Sequence, residues 1–255
     1  MNIKPRNYTD DFFKRITHYS QYSSTVIIEI ILEKLNSYKI NSVLDVGCGS
    51  GYWLKGWHEK GIENIVGIDG DYLSKASLVI NQKNFKTHDL KKPLSLNLSY
   101  DFVQSLEVAE HLPKSSAETF ISSLTTHGKI ILFSAAVPGQ GGTHHINEQP
   151  LSFWYKLFKK KNYIAFDLIR PFIQDNKKIS FWYRYNTLLY VHESLYSQLK
   201  ITLDPFKINS INDIKDYSPL YFKVLKLIIR YLPCYFVTQL SYLKIYFLLK
   251  FKRTK

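Results

Sequence analysis

A chain of 255 residues with 45% apolar and 22% charged side chains is long enough for one full hydrophobic core and a modest appendage. Two cysteines, Cys48 and Cys234, exclude a disulfide framework and fit a reducing, cytoplasmic compartment. The net charge of +13 is weak evidence for nucleic-acid binding, because residues 218–255 hold eight basic residues and no acidic one, leaving the rest mildly basic.

In chain order, residues 1–40 read as a helical cap. Ser23 and Ser24 are placed to cap a helix over 25–35, where Val26, Ile27, Ile30, Ile31 and Leu35 recur at helical spacing. The start carries charged residues where a secretory signal has an apolar run, and no stretch of 18 uncharged apolar residues occurs, so neither a signal nor a membrane span is expected. Residues 40–46 form a β-branched and aliphatic strand running into glycines. A helix over 52–60 stops at Gly61, and a second strand over 65–68 ends at Asp69. The pattern then predicts a helix over 73–79, a short third strand over 85–90, a fourth over 101–106, a helix over 116–124 and a fifth strand over 129–134.

Strands alternating with helices predict an α/β fold, a Rossmann-like, doubly wound, mostly parallel sheet. A loop over 135–150 and a helix over 153–161 follow. Two further strands, over 164–169 and 187–191, have no clear helical stripe between them, so an antiparallel edge pair should complete a seven-stranded sheet. The alternating strand–helix domain spans 41–203. Residues 204–216 read as a linker, and 204–255 as linker plus a basic, aromatic helical tail.

Val43-Leu44-Asp45-Val46-Gly47-Cys48-Gly49-Ser50-Gly51 places a Gly-x-Gly-x-Gly loop between a strand and a helix. Glycines allow a tight turn and close approach of a ligand to the positive end of the helix. Tyr52 stands where the dinucleotide fingerprint needs its third glycine, and the Walker lysine is absent, which disfavours NAD and P-loop enzymes. Asp69 follows Gly47 by 22 residues, at a strand end where a carboxylate accepts ribose hydroxyls; its plainer role is a turn residue in Asp69-Gly70-Asp71.

On these residues the chain resembles the class I S-adenosylmethionine-dependent methyltransferase family over about 42–191. The resemblance implies that Asp45 and the backbone of Gly47, Cys48, Gly49 and Gly51 hold the methionine part of S-adenosylmethionine and Asp69 the ribose. Asp89 and Leu90 would meet the adenine, the alternative for Asp89 being a solvated loop aspartate.

Glu107, Glu110 and His111 fall at i, i+3 and i+4, so one helical turn would converge them. Such a set suits Mg2+ or Mn2+ rather than zinc, since oxygen ligands dominate and no thiolate is near. The segment is similar to the Glu-x-x-Glu-His motif of ubiquinone-pathway and small-RNA O-methyltransferases, and that resemblance implies a further histidine after the fifth strand, His145 or else His144. Without a metal, the pair packs near the cofactor or caps a helix, and His111 or His145 is the general base.

The small residues of 134–142 suit a mobile lid or a plain surface connection. Arg170, Arg184 and Trp182-Tyr183 either read an anionic or sugar acceptor or serve packing. In the tail, Lys223, Lys226 and Arg230 fall at i, i+3 and i+7, Pro233 interrupts, and residues 235–249 are largely apolar. This suits an anionic membrane surface, packing on the core or in a homodimer, or, less well, nucleic acid. The expected activity is O-methylation of a sugar, glycan or small-metabolite hydroxyl. The alternatives are an RNA 2′-O-methyltransferase and a catalytically inactive, membrane-associated interaction protein; the expected location is cytoplasmic, with the inner membrane face as a peripheral site.

Overall fold

The computed structural model describes residues 10–232 together with Phe236 and Gln239, with side chains from Ser20 onward. Seven strands, β1 (Ser42–Val46), β2 (Asn64–Asp69), β3 (Phe85–Thr87), β4 (Phe102–Leu106), β5 (Ile130–Ser134), β6 (Tyr163–Phe166) and β7 (Leu188–His192), form one sheet in the order β3-β2-β1-β4-β5-β7-β6. The first five are parallel, and β7 pairs antiparallel with both β5 and β6, giving the expected edge pair.

Alternation along the strands builds two cores. Val43, Phe102, Ile130 and Leu132 face one side, Leu44, Val46, Val103, Ile131 and Phe133 the other. The first side is covered by α1 (Asp10–Lys34) and α2 (Tyr52–Glu59), the second by α3 (Ala117–His127) and α4 (Leu151–Lys159). Both faces are covered, so all five residues of β1, β4 and β5 are buried.

Two local expectations are corrected. Helix α1 starts at Asp10, so Ser23 and Ser24 are interior rather than capping; Ser24 Oγ donates back to the Gln21 carbonyl at 2.8 Å. Ile27, Ile28 and Ile31 on α1 are fully buried in one cluster with Trp53, Leu54 and Trp57 of α2. Residues 73–79 hold only a 3-10 turn, Lys75–Ser77. The backbone there is drawn across the glycine loop, Val79 N–H donating to Ser50 O at 2.9 Å, so a helix cannot continue.

Past β6 come α5 (Arg170–Ile173), α6 (Phe181–Asn186), α7 (Glu193–Leu203) and α8 (Leu220–Ile229). Residues 204–216 run along the β6 edge, where Lys207 bridges Phe166 and Asp167 N–H donates to Phe206 O. No helix among the described residues is long and apolar enough to cross a membrane. Most of the expected tail from Pro233 onward, including its apolar run and terminal basic cluster, lies outside the described residues.

Candidate active site

The parallel strands deliver their carboxyl ends to one rim, where ligands of open α/β sheets bind. From β1 the chain turns through Gly47 at φ +86°, where a side chain would also strike Val108 at 2.3 Å. Gly49, at φ +53°, has no atom within 4 Å of where a Cβ would stand, so the loop's face is open above it.

Beneath that loop lie Asp45 and Asp69, 3% and 2% exposed. Asp69 accepts hydrogen bonds from Gly49 N–H at 2.6 Å, from Gly70 N–H at 2.7 Å and from the Tyr72 hydroxyl. Burial raises its pKa against those bonds. Burial also pushes Asp45 up to about 7, Gln104 pulling the other way and the charge of Asp69 adding to the rise. Burial and these two carboxylates together push the Cys48 thiol well up. Asp89 is exposed and closes its own turn, accepting from Lys91 N–H at 3.1 Å, while Leu90 is buried in the α3-side core.

Glu107, Glu110 and His111, expected on the acceptor side, do not share one helical turn. Glu107 takes φ +58°, a left-handed conformation at the end of β4, and only a 3-10 turn, Ala109–His111, follows. Glu107 stays close enough for its charge to act on Glu110, but its carboxylate is engaged elsewhere and does not join the group that Glu110 forms. Glu107 Oε2 accepts from Gln140 Nε2 at 2.9 Å, and Gln140 Oε1 accepts from Asn186 Nδ2 at 2.7 Å. Burial raises the Glu107 pKa against those bonds.

Glu110, His111 and His145 do converge: one potential ligand atom from each lies within 4.8 Å of the others. Glu110 is fully buried, and neither carboxyl oxygen has a hydrogen-bond partner among the described residues. Burial, then the charge of Glu107, pushes its pKa well above the carboxylate range. His111 is open to solvent on one edge but crowded around its ring, which lowers its pKa to about 4; the neighbouring His145 adds to the fall. The two imidazoles meet edge to face at 5.0 Å.

Thirty-four residues beyond His111, His145 arrives on the loop after β5. Its Nδ1 lies 2.9 Å from Glu148 Oε1, and Glu148 also accepts from Gly139 N–H at 2.7 Å and Gly141 N–H at 3.0 Å. One carboxylate therefore orients the imidazole and pins the small-residue loop. His144 contributes its carbonyl, 3.3 Å from His111 Nδ1, so His145 is the histidine of the cluster.

Arg170 is not an acceptor reader. It is fully buried, forked onto Asp167 at 2.8 Å through Nε and Nη2, with Nη1 donating to the Tyr185 and Lys215 carbonyls. Arg184 donates to Gln174 O, and buried Tyr183 accepts from Trp53 Nε1 at 3.2 Å. The sequence reading missed Tyr72, Gln140, Asn186 and the clamping role of Glu148. Only the i, i+3 spacing of His145 and Glu148 signalled any of them.

Residues 15–170 match a family described as a methyltransferase domain. No curated protein matches the chain. Among solved structures it is similar to the plantazolicin methyltransferase BpumL in complex with a monoazolic desmethylPZN analog and SAH, at TM-score 0.52 and 14% identity over 71% of this chain and 87% of that one. The magnesium protoporphyrin IX methyltransferase ChlM of Synechocystis PCC 6803 with bound SAM aligns at TM-score 0.47 and 19% identity over 75% and 87%. Streptomyces venezuelae DesVI aligns at TM-score 0.43 and 16% identity over 56% of this chain, which spans only 62% of that relative. At these identities the likeness is one of fold.

Proposed function

The chain belongs to the methyltransferase-domain family, and on that premise we propose that it moves a methyl group from S-adenosylmethionine to a hydroxyl of a sugar, glycan or small metabolite. The observation that carries the reading is the pair of buried carboxylates, Asp45 and Asp69, beneath a loop open above Gly49. Two desolvated carboxylates side by side favour a cationic ligand, and a sulfonium bearing an ammonium is one. Asp69 would accept the ribose hydroxyls in place of Tyr72, and the loop N–H groups would face the methionine carboxylate.

When bound, S-adenosylmethionine supplies a methyl already activated on sulfur, so the residues contribute alignment and removal of one proton. His145, held by Glu148, would accept the acceptor's proton as the oxygen–carbon bond forms and the carbon–sulfur bond breaks. Glu148 then stabilises the imidazolium. The Glu107–Gln140–Asn186 network fixes the wall between donor and acceptor sides.

A second reading has its own support in Glu110, whose orphaned buried oxygens suit a cation better than an empty apolar cavity. With Glu107 outside the group, the donor set is one carboxylate and two imidazoles, so nitrogen rather than oxygen dominates, which fits Mn2+ or Zn2+ better than Mg2+. Glu110, His111 and His145 would hold it, and a bound divalent ion would make an acceptor hydroxyl more acidic. His145 would then be a ligand rather than the base.

Titration calorimetry with S-adenosylmethionine tests the donor site. Binding is expected for the parent chain and a loss of at least tenfold for Asp69→Asn; equal affinities would sink the assignment. Methyl-donor assays against extracted metabolites and against RNA then decide the acceptor, and salt-sensitive capture of RNA would move it to nucleic acid.

A further inference from the structure

Helix α8 meets the rest of the protein along one narrow face. Phe222, Lys226 and Ile229 stand at i, i+4 and i+7 on that face. Phe222 is buried against the rings of Phe181 and Tyr185, at 5.1 and 6.1 Å. The Lys226 ammonium is satisfied by Asp216 Oδ2 at 3.1 Å and Ser218 Oγ at 3.0 Å.

The opposite face is apolar and exposed among the described residues. Leu220, Val224, Leu227 and Tyr231 form one row, flanked by Tyr221 and Ile228, and exposures run from 50% at Val224 to 77% at Leu220. Lys223 and Arg230, seven residues apart, line one edge, and no ion pair among the described residues reaches them. A continuous apolar face rimmed by cations marks an interaction surface.

Charge selects the occupant. Residues 218–255 hold eight basic residues and no acidic one, so neither residues 233–255 nor the same face of a second copy brings a carboxylate to Lys223 and Arg230. An anionic bilayer supplies both the apolar phase and the counter-charge. Ten helical residues extend about 15 Å, half the hydrocarbon thickness, so α8 would lie along the interface rather than cross it.

We propose that α8 is an interfacial anchor for an anionic lipid bilayer. The anchor adjoins the catalytic rim: a Cβ on Gly139 would stand 2.0 Å from the Lys226 carbonyl oxygen, and Gly139 is the residue Glu148 pins beside His145. Docking therefore holds this loop on the protein side of α8, about one helix diameter (roughly 10 Å) from the lipid surface, within reach of an amphiphilic, membrane-resident acceptor. That last step rests on the methyl-transfer reading.

The test is co-sedimentation of the full chain with vesicles of phosphatidylcholine alone and with added phosphatidylglycerol, no methyl donor being present. Binding should be at least about tenfold stronger on the anionic vesicles and should weaken with salt. Val224→Asp with Ile228→Asp, both on the exposed face, should reduce binding to the phosphatidylcholine level with an unchanged thermal melt. Lys223→Gln with Arg230→Gln should weaken it roughly tenfold or more. Undiminished binding by the aspartate variant would overturn the proposal. So would a lipid-free parent dimer that the same variant dissolves, which would give the face to a second copy. For the acceptor, transferred radiolabelled methyl should enter the lipid-extractable fraction; label confined to the aqueous fraction would reject a membrane-resident acceptor while leaving the anchor standing.

Discussion

His145 Nδ1 lies 2.9 Å from Glu148 Oε1, and the same carboxylate holds the backbone of Gly139 and Gly141. Position of the imidazole and closure of the loop are thus one structural event. A third glycine completes it, since a Cβ on Gly142 would stand 2.2 Å from the His145 ring. Gly142→Ala should therefore displace the imidazole and lower kcat by about tenfold to a hundredfold, with the donor Kd unchanged. His145→Ala should lower kcat at least as far. Parent-like turnover in both variants would remove His145 from the chemistry.

Asp45 gives a pH prediction. Its folded-state pKa lies at about 7, above its unfolded value, so the folded protein holds a proton that the unfolded chain has released. This group's contribution to stability is thus greatest below about pH 4 and falls as pH rises to about 7. Asp45→Asn should stabilise the donor-free protein at neutral pH, by up to about 4 kcal/mol. It should also cost at least tenfold in donor affinity, because a cationic ligand prefers the ionised carboxylate. In the parent, donor affinity should rise through about pH 7, and calorimetry in buffers of different ionisation enthalpy should detect the released proton. A pH-independent Kd would contradict the electrostatic account.

Glu110 separates the metal reading from the dyad reading. If Glu110, His111 and His145 hold a divalent ion, Mn2+ should raise the Tm of the parent, and Glu110→Gln should abolish that shift while folding normally, since it replaces a buried carboxyl by a neutral amide. A shift that survives Glu110→Gln places the ion elsewhere. No shift in the parent, with activity unaffected by chelation, leaves His145 as the base.

Arg170 should act on stability alone. Removing one member of its buried pair with Asp167 leaves an unpaired charge and two carbonyls without a donor, so Arg170→Met should cost about 3–5 kcal/mol in denaturant unfolding. Where the variant still folds, its acceptor KM should match the parent's. A raised KM with unchanged stability would restore Arg170 as an acceptor contact.

The sheet was legible because burial on both faces writes short runs dominated by apolar residues, such as Ile130–Ser134 and Ser42–Val46, the latter interrupted only by the site residue Asp45, between glycine and polar breaks. Residues 73–79 were misread because Leu73, Leu78 and Ile80 imitate a helical stripe while packing separately on the core. Nothing local records the hydrogen bond from Val79 to Ser50 that prevents the helix. Arg170 was left between an acceptor contact and packing, and the structure chose packing, for a related reason: a buried arginine is uncommon, and its partners lie 3, 15 and 45 residues away.

What the sequence by itself determined was the Gly47–Gly51 loop, Asp45 and Asp69 at the strand ends, and the parallel sheet that presents them. All of these are set by local spacing and by backbone freedom at glycine. Tertiary structure decided which side chains gather in the second cluster. A left-handed φ at Glu107 broke the helical turn that spacing implied, and Glu107 left the Glu110–His111–His145 group. His145 rather than His144 joined it because Glu148 closes the later loop over the strand ends. Periodicity describes neighbours on one element; a single unusual dihedral and a long loop closure are settled only by the atoms they meet.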